Sequence, residues 1–339
     1  MTTKQSFSLT LRFSEVEPDG NRLRTVSTVS LASAAATKPR RAFTFLELLV
    51  VLSVVALMVS LVATALAASR PNSQGALCLN NMKQLMAAFT MYTHDNSDLF
   101  PPNPDSFFTT PGCTWAPGNV SGWIPAGTSG SPDAGNPDLF KDASRSLLVP
   151  YFRTNVSLFR CPFDPRIAPY TGSDTNLVGQ KIPVVRSISM NQGVGTKGPC
   201  FASGSAANSP VDSPWLNGSH SHTADNPYAT FGNWSDFKIA RPSDIWVLVD
   251  DDPWTINDSS MAVIAAMPDF IDYPNVFNDN STAFSFADGH GETHKWKSSM
   301  LIHNGIPART TAIPGLQFQD AFWWASHATR SRITGSVFP

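Results

Sequence analysis

Between residues 48 and 68 the chain carries 21 consecutive uncharged residues, broken only by the polar Ser53, Ser60 and Thr64. At about 1.5 Å of rise per residue this run predicts a helix of roughly 30 Å, the thickness of a bilayer's hydrocarbon core. Beyond Pro71 and Gly75 the pattern becomes one-sided. Cys78, Met82, Leu85, Phe89 and Tyr92 step by alternating fours and threes, the apolar stripe of an amphipathic helix, while Asn80, Asn81, Lys83, Gln84 and Thr90 lie off it. One long helix over 43–94 is expected, transmembrane over 48–68, amphipathic over 74–94 and kinked at Pro71. A separate short helix after a loop is the alternative.

After residue 95 the helical period is lost. Short β-prone runs occur at 184–190, 245–249, 262–265, 283–287 and 292–296. Asp288-Gly289 parts the last two like the centre of a primed hairpin turn, which needs positive φ at Gly289. Residues 101–137 hold eight Pro and six Gly, and 193–235 are similarly rich in Gly, Pro, Asn and Ser. Both read as long loops of the domain and not as linkers, because Trp115, Trp123, Trp215 and Trp234 within them need surfaces to pack on. The expected class is α+β: a long N-terminal helix followed, over 95–339, by an antiparallel sheet with long loops.

Charge adds a direction to this plan. Residues 1–42 carry seven basic side chains against three acidic ones and almost no apolar period, so an unfolded leader is expected. With Lys38, Arg40 and Arg41 on the near flank of the apolar run, the positive-inside rule places 1–42 in the cytoplasm and everything after Arg70 outside. The remainder holds 17 basic and 23 acidic residues, of which only Glu47 and Glu292 are Glu. Asp favours turns and caps, so the exported part should be poor in helix. For the whole chain of 339 residues the net charge is only −2, with 15% charged residues and no basic stripe outside the N-terminus, which argues against a nucleic-acid partner. Cys78, Cys113, Cys161 and Cys200 form no C-x2-C pair, so zinc-ribbon and thioredoxin readings fall away. In an oxidising compartment the four should pair, in one of three connectivities. A Cys78–Cys161 bridge, closing a loop of about 84 residues, would contribute roughly 4–5 kcal/mol in the chain-entropy model.

Several fates are open to the apolar run. Cleavage after Ala65-Leu66-Ala67 would suit a secretory signal, and Arg40-Arg41-Ala42-Phe43 could open a twin-arginine signal. Neither explains Glu47, an acidic side chain at the edge of the run, where a carboxylate is costly unless it has a partner. The string Arg40-Arg41-Ala42-Phe43-Thr44-Phe45-Leu46-Glu47-Leu48-Leu49-Val50-Val51-Leu52 resembles the processing site of type IV prepilins and type II secretion pseudopilins. The resemblance implies cleavage by a prepilin peptidase between Ala42 and Phe43, methylation of the new amine, and Glu47 as the fifth residue of the mature chain. Ala42 stands where that family usually has Gly. Tyr92-Thr93-His94-Asp95-Asn96-Ser97-Asp98-Leu99-Phe100-Pro101 looks like the helix exit of major pseudopilins. Further strings are similar to the large-domain prepilin-like family of planctomycetes and verrucomicrobia: Cys78 to Leu85, Cys161-Pro162-Phe163-Asp164, Ser187-Ile188-Ser189-Met190-Asn191, Arg241-Pro242-Ser243 with Asp250-Asp251, and Phe284 to His290. That family is marked by His, nine residues, then Asp-Gly, but here Asn278 occupies the His position ten before Asp288. The resemblance implies a pilin-like fold and a structural, non-enzymatic subunit. Its partners would be the peptidase, the inner membrane and other pilin or pseudopilin subunits held through the N-terminal helix.

Candidate chemistry in the rest of the chain is thin. Asp250, Asp251 and Asp252 end a β-prone run and would repel one another unless solvated or bound to a cation, for which calcium is the natural choice outside a cell. His290, Glu292 and His294 would share one face of a strand, either as a transition-metal face or as polar packing. His220-Ser221-His222 reads as exposed polar loop, and Asp95 and Asp98 as helix-exit caps. No Gly-x-Ser-x-Gly, phosphate-loop or Gly-x-Gly-x-x-Gly string occurs, so no enzyme is expected. Nine Trp leave a second reading open, an anchored or secreted carbohydrate-binding protein using its Trp-bearing loops.

Overall fold

The computed structural model describes residues 44–120, 123–124, 128–129, 131–222, 226–253, 255–276, 278–298 and 316–336. The leader, with Ala42 and Phe43, lies outside them, as do the side chains of 61–74, Pro71 among them. The chain divides into two units, Met1–Val59 and Ser60–Pro339.

Helix α1 runs over Phe45–Asp95. In the first unit its residues Phe45 to Val59 expose apolar side chains on every side, Phe45 and Leu46 most and Val54 least. Among the described residues, no helix is long and apolar enough to cross a membrane. The side chains described within the expected 48–68 span stop at Ser60.

In the second unit the apolar stripe is the buried one. Cys78, Met82, Leu85 and Phe89 are fully buried, Tyr92 is half-buried, and Asn80, Lys83 and Gln84 face outward. Three sheets follow. The first joins β1 (Trp123–Ile124), β2 (Thr128–Ser129), β3 (Ile167–Pro169) and β4 (Lys181–Pro183), with a short helix α2 (Pro137–Lys141) between β2 and β3. The central five-stranded sheet uses β5 (Ile188–Asn191), β6 (Trp246–Asp250), β7 (Ser260–Met261), β10 (Ser281–Phe286) and β11 (Gly291–Lys295) in the order β11-β10-β6-β5-β7. The strands β8 (Val263–Ile264) and β9 (Asp269–Phe270) form a separate pair. Antiparallel pairing dominates, as expected, with parallel exceptions at β2–β3 and β5–β7.

Strands β5, β6, β7 and β10 of the central sheet are buried on both faces, whereas the edge strand β11 is partly exposed. On one side Ile188, Met190, Val247, Leu248 and Ala283 join the α1 stripe and Trp115, Phe140 and Phe159 in one core. On the other, Trp246, Val249, Phe284, Phe286 and Trp296 meet α3 (Leu316–Ser326), whose Ala321, Trp324 and Ala325 are buried. Trp246 stacks on Trp324 with ring centroids 4.6 Å apart. Because both faces are covered, β6 reads as the unbroken apolar run Trp246-Val247-Leu248-Val249 and lacks alternation. At the α1 face, a Cβ on Gly291 would come within 2.9 Å of Leu79, so glycine lets β11 lie against the helix.

Candidate functional site

At the start of α1, Thr44 and Glu47 form a reciprocal cap. The Thr44 amide donates to Glu47 Oε2 at 2.8 Å, the Thr44 hydroxyl to the same oxygen at 3.0 Å, and the Glu47 amide to Thr44 Oγ1 at 3.2 Å. This is the Thr-x-x-Glu capping box, whose signal in the sequence is the spacing of Thr44 and Glu47. The partner demanded for the carboxylate is thus present three residues upstream. At the far end, Asp95 accepts from the Tyr151 hydroxyl at 2.9 Å, so it holds a neighbouring loop and does not cap the helix.

The cysteines pair as Cys78–Cys161 and Cys113–Cys200, separated by 83 and 87 residues. The two closed loops interleave, with the first bridge tying α1 to the loops that lead into β3 and the second tying the 101–137 loop to the 193–235 loop. Asn278, in the position where the resembled family carries His, sits beside the first bridge with its amide nitrogen 4.0 Å from Cys78 Sγ.

Asp250, Asp251 and Asp252 are all buried, not solvated. Consecutive residues at a strand end point in different directions, and each of the first two has a hydroxyl partner. The Ser187 hydroxyl donates to Asp250 Oδ1 at 2.8 Å and the Ser189 hydroxyl to Asp251 Oδ2 at 2.6 Å. Among the described residues the three carboxylates do not come together around a common point; Asp250 alone lies in a close group, with Cys78 and Cys161, whose sulfurs are joined in a disulfide and so are not available as thiolate ligands. Burial pushes Asp250 well above the usual carboxylate range and Asp251 up to about 7, against the opposing pull of the serine hydroxyls. Asp258 and Asp272 are also raised well above it by burial, with Asp105 and Asp251 respectively as the leading like charges. The counter-charges are Arg186, lowered to about 10 by burial, and Arg166, which grips the buried Asp164 through Nε and Nη2 with a shortest contact of 2.7 Å.

Asp288 and Gly289 do sit at the β10–β11 turn, but the turn is not of the primed two-residue kind. The Gly289 amide donates to the Phe286 carbonyl and the Phe286 amide to the His290 carbonyl, enclosing three residues. Asp288 keeps a negative φ, and only Gly289, at φ +90°, is left-handed. The Asp288 carboxylate accepts from the His290 amide at 3.1 Å, which stabilises the tighter bend. The expected face of His290, Glu292 and His294 is not assembled: His290 precedes the strand and stacks on Phe286, whereas His294 stacks on Trp323, its pKa lowered to about 4 by burial.

Of the loop tryptophans whose side chains are described, Trp115 lies in the core, Trp234 packs against it, and Trp215 lies beside His220. Trp115, Trp246, Trp296 and Trp324 are buried, Trp215, Trp234 and Trp323 half-buried, and among the described tryptophan side chains none is exposed.

A constellation unforeseen in the sequence lies where the two long loops meet. Asp105, His220 and His222 each offer one ligand atom, and these atoms lie within 4.8 Å of one another. His220 Nε2 is 2.8 Å from Asp105 Oδ2, and His222 Nδ1 is 3.9 Å from Asp212 Oδ2, while the other oxygen of Asp212, Oδ1, is held by Lys197 at 2.6 Å. The buried Asp258 carboxyl lies near Asp105, whose like charge helps to hold the Asp258 pKa up. Asp105 and His222 line a cavity of about 10 Å³, the size of one water or ion, together with Gln192 and Ser213. The loop approach depends on glycine: a Cβ on Gly195, at φ +114°, would lie 2.6 Å from the Asn103 side chain. Asn103 then anchors the 101–105 strip, its amide donating to the Asn191 and Val194 carbonyls at 3.0 Å each. The His-x-His spacing was the available signal, but its third member is 115 residues away in sequence.

No family model, curated protein or solved structure matches the chain.

Proposed function

We propose that the chain is a pilin-like structural subunit, without enzymatic activity, of a type II secretion pseudopilus or a type IV pilus-like fibre. In this reading prepilin peptidase cuts between Ala42 and Phe43. The new helix start waits in the inner membrane, with the Ser60–Pro339 unit on the periplasmic or extracellular side, and then packs against the same helix of other subunits. The observation that carries it is the start of α1: a capping box at Thr44 and Glu47, followed by a helix with apolar side chains exposed all round from Phe45 to Val59. A helix apolar on every side requires a non-aqueous surround, either lipid or other helices. Two disulfides add support, since paired cysteines belong to an oxidising compartment. The carbohydrate-binding alternative has less behind it, because among the described loop tryptophans Trp115 is buried and Trp234 packs against the core.

Mass spectrometry of the mature N-terminus tests the reading. The expected product begins at Phe43 with an N-methylated amine. A mature chain beginning at Ala68 would sink the fibre reading and leave a cleaved secretory protein.

A further inference from the structure

We infer that Asp105, His220 and His222 form a binding site for a first-row transition-metal dication of the zinc type, clasping the loop after α1 to the loop before β6.

The donor set is the first argument. One carboxylate oxygen and two imidazole nitrogens are a borderline-soft combination that suits zinc and its neighbours and does not suit calcium, which asks for six or more oxygens. Both disulfides are formed, so no thiolate competes for the ion.

Geometry is the second. Tetrahedral ligands at about 2.0–2.1 Å from zinc lie roughly 3.3 Å apart. The His220–Asp105 contact at 2.8 Å would open by about half an ångström to admit the ion. Trp215 and Phe201 brace the imidazoles, with ring centroids 5.1 Å from His220 and 4.9 Å from His222. Asp212, with Oδ2 3.9 Å from His222 Nδ1, stands on the side of the ring where an outer carboxylate orients a histidine that binds metal through its other nitrogen.

The third argument is independent of the cluster. Gln192 is 1% exposed and lines the same small cavity as Asp105 and His222, yet neither its Oε1 nor its Nε2 has a hydrogen-bond partner. Ser213, also 1% exposed, lines the cavity with an unpartnered hydroxyl. Burying an amide with both of its ends unsatisfied costs free energy with nothing to offset it. An ion held by three protein ligands, with its fourth position filled by water, would supply both a donor and an acceptor beside these side chains. The Cys113–Cys200 bridge already ties the same two loops, so the metal would be a second clasp on a pre-formed approach.

The test uses the tag-free full-length chain in detergent, stripped with a chelator and titrated with zinc by calorimetry and with cobalt by its visible absorption. One equivalent of zinc per chain is expected, with tetrahedral cobalt bands and a thermal midpoint raised by several degrees. His220→Gln and His222→Gln should each weaken zinc about tenfold or more, while leaving the far-ultraviolet dichroism and cooperative thermal unfolding of the metal-free protein intact. Absence of zinc binding, retained zinc affinity in the double variant, or stabilisation by calcium alone would each overturn the proposal. Should a His variant misfold, Gln192→Leu provides the second arm. It fills the cavity wall without touching the three ligands, and it should raise the metal-free midpoint while removing much of the zinc-induced shift. An unchanged zinc-induced shift in Gln192→Leu would count against the cavity as the site.

Discussion

Glu47 can serve two ends, and the capping box separates them. As the third residue of the helix it satisfies the Thr44 amide, and a glutamine there could do the same. As a charge at the edge of an apolar run it could also pair with the Phe43 amine of a neighbouring subunit and set the axial register of packed helices. Glu47→Gln keeps the cap and removes the charge, whereas Glu47→Ala removes both. If the charge directs assembly, both variants should insert and be cleaved but be missing from sheared fibres. If only the cap matters, Glu47→Gln should enter fibres normally and Glu47→Ala should lose about 1 kcal/mol of helix stability. A second residue-scale prediction concerns Asp164 and Arg166, both fully buried and joined by three contacts between guanidinium and carboxylate. Arg166 also donates to the Val120 and Arg186 carbonyls, so it ties three loops together. Arg166→Met should destabilise the unit by about 3–5 kcal/mol, because it strands a buried carboxylate. Asp164 and Arg166 together replaced by apolar residues should lose less than the single variant. Urea unfolding of the single and double variants measures both.

At the scale of elements, the β10–β11 hairpin shows how turn chemistry and turn geometry come apart. The Asp-Gly pair correctly marked the turn, but the left-handed residue is Gly289 alone and the loop encloses three residues. A Cβ at Gly289 would meet nothing within 4 Å, so Gly289→Val should lose about 1–2 kcal/mol through backbone strain and not through collision. Asp288→Asn keeps an acceptor for the His290 amide and should be nearly neutral; equal losses in urea unfolding would contradict the turn described. The α1 stripe was legible because a 3.6-residue period is written directly into the spacing from Cys78 to Tyr92. Strands β5, β6, β10 and β11 were legible from β-prone composition and not from a period, each within a few residues of its run. Helix α3 went unread for a physical reason. Its aromatic residues Phe318, Phe322, Trp323 and Trp324 have little intrinsic helix preference, and the element is held by Trp324 stacking on Trp246 across the sheet. The Asp105–His220–His222 cluster was illegible for another reason: it depends on two irregular loops meeting, and no local period encodes that.

At the scale of the molecule, the unexpected quantity is buried charge. Among the described residues, seven Asp are buried in the Ser60–Pro339 unit against two Arg, Arg166 and Arg186. A unit with so few basic groups inside holds its acids by hydroxyl and amide donors or by keeping some protonated. Asp250, Asp251 and Asp272 are raised by burial, so between about pH 4 and the folded value, about 7 for Asp251, the folded state binds protons that the unfolded state has released. Their contribution is therefore largest in mild acid and is lost as the pH rises to 7. His294 and His327 work the other way. Burial lowers both, so below about pH 6.5 the unfolded chain takes up protons that the folded chain refuses, and stability falls with falling pH. The acids dominate from pH 8 down to about 6.5, and the thermal midpoint of the metal-free unit should rise across that interval. Asp251→Asn isolates one contributor, since the amide imitates the protonated acid and carries no charge to the Ser189 hydroxyl or to Arg186. Relative to the unsubstituted chain it should become progressively less destabilising, or more stabilising, from pH 5 to pH 8, by about 1.4 kcal/mol for each pH unit crossed below the folded pKa. A stability difference between the two proteins that is flat over that range would mean that Asp251 is ionised in the folded state throughout, with Arg186 and the serine hydroxyls outweighing its burial.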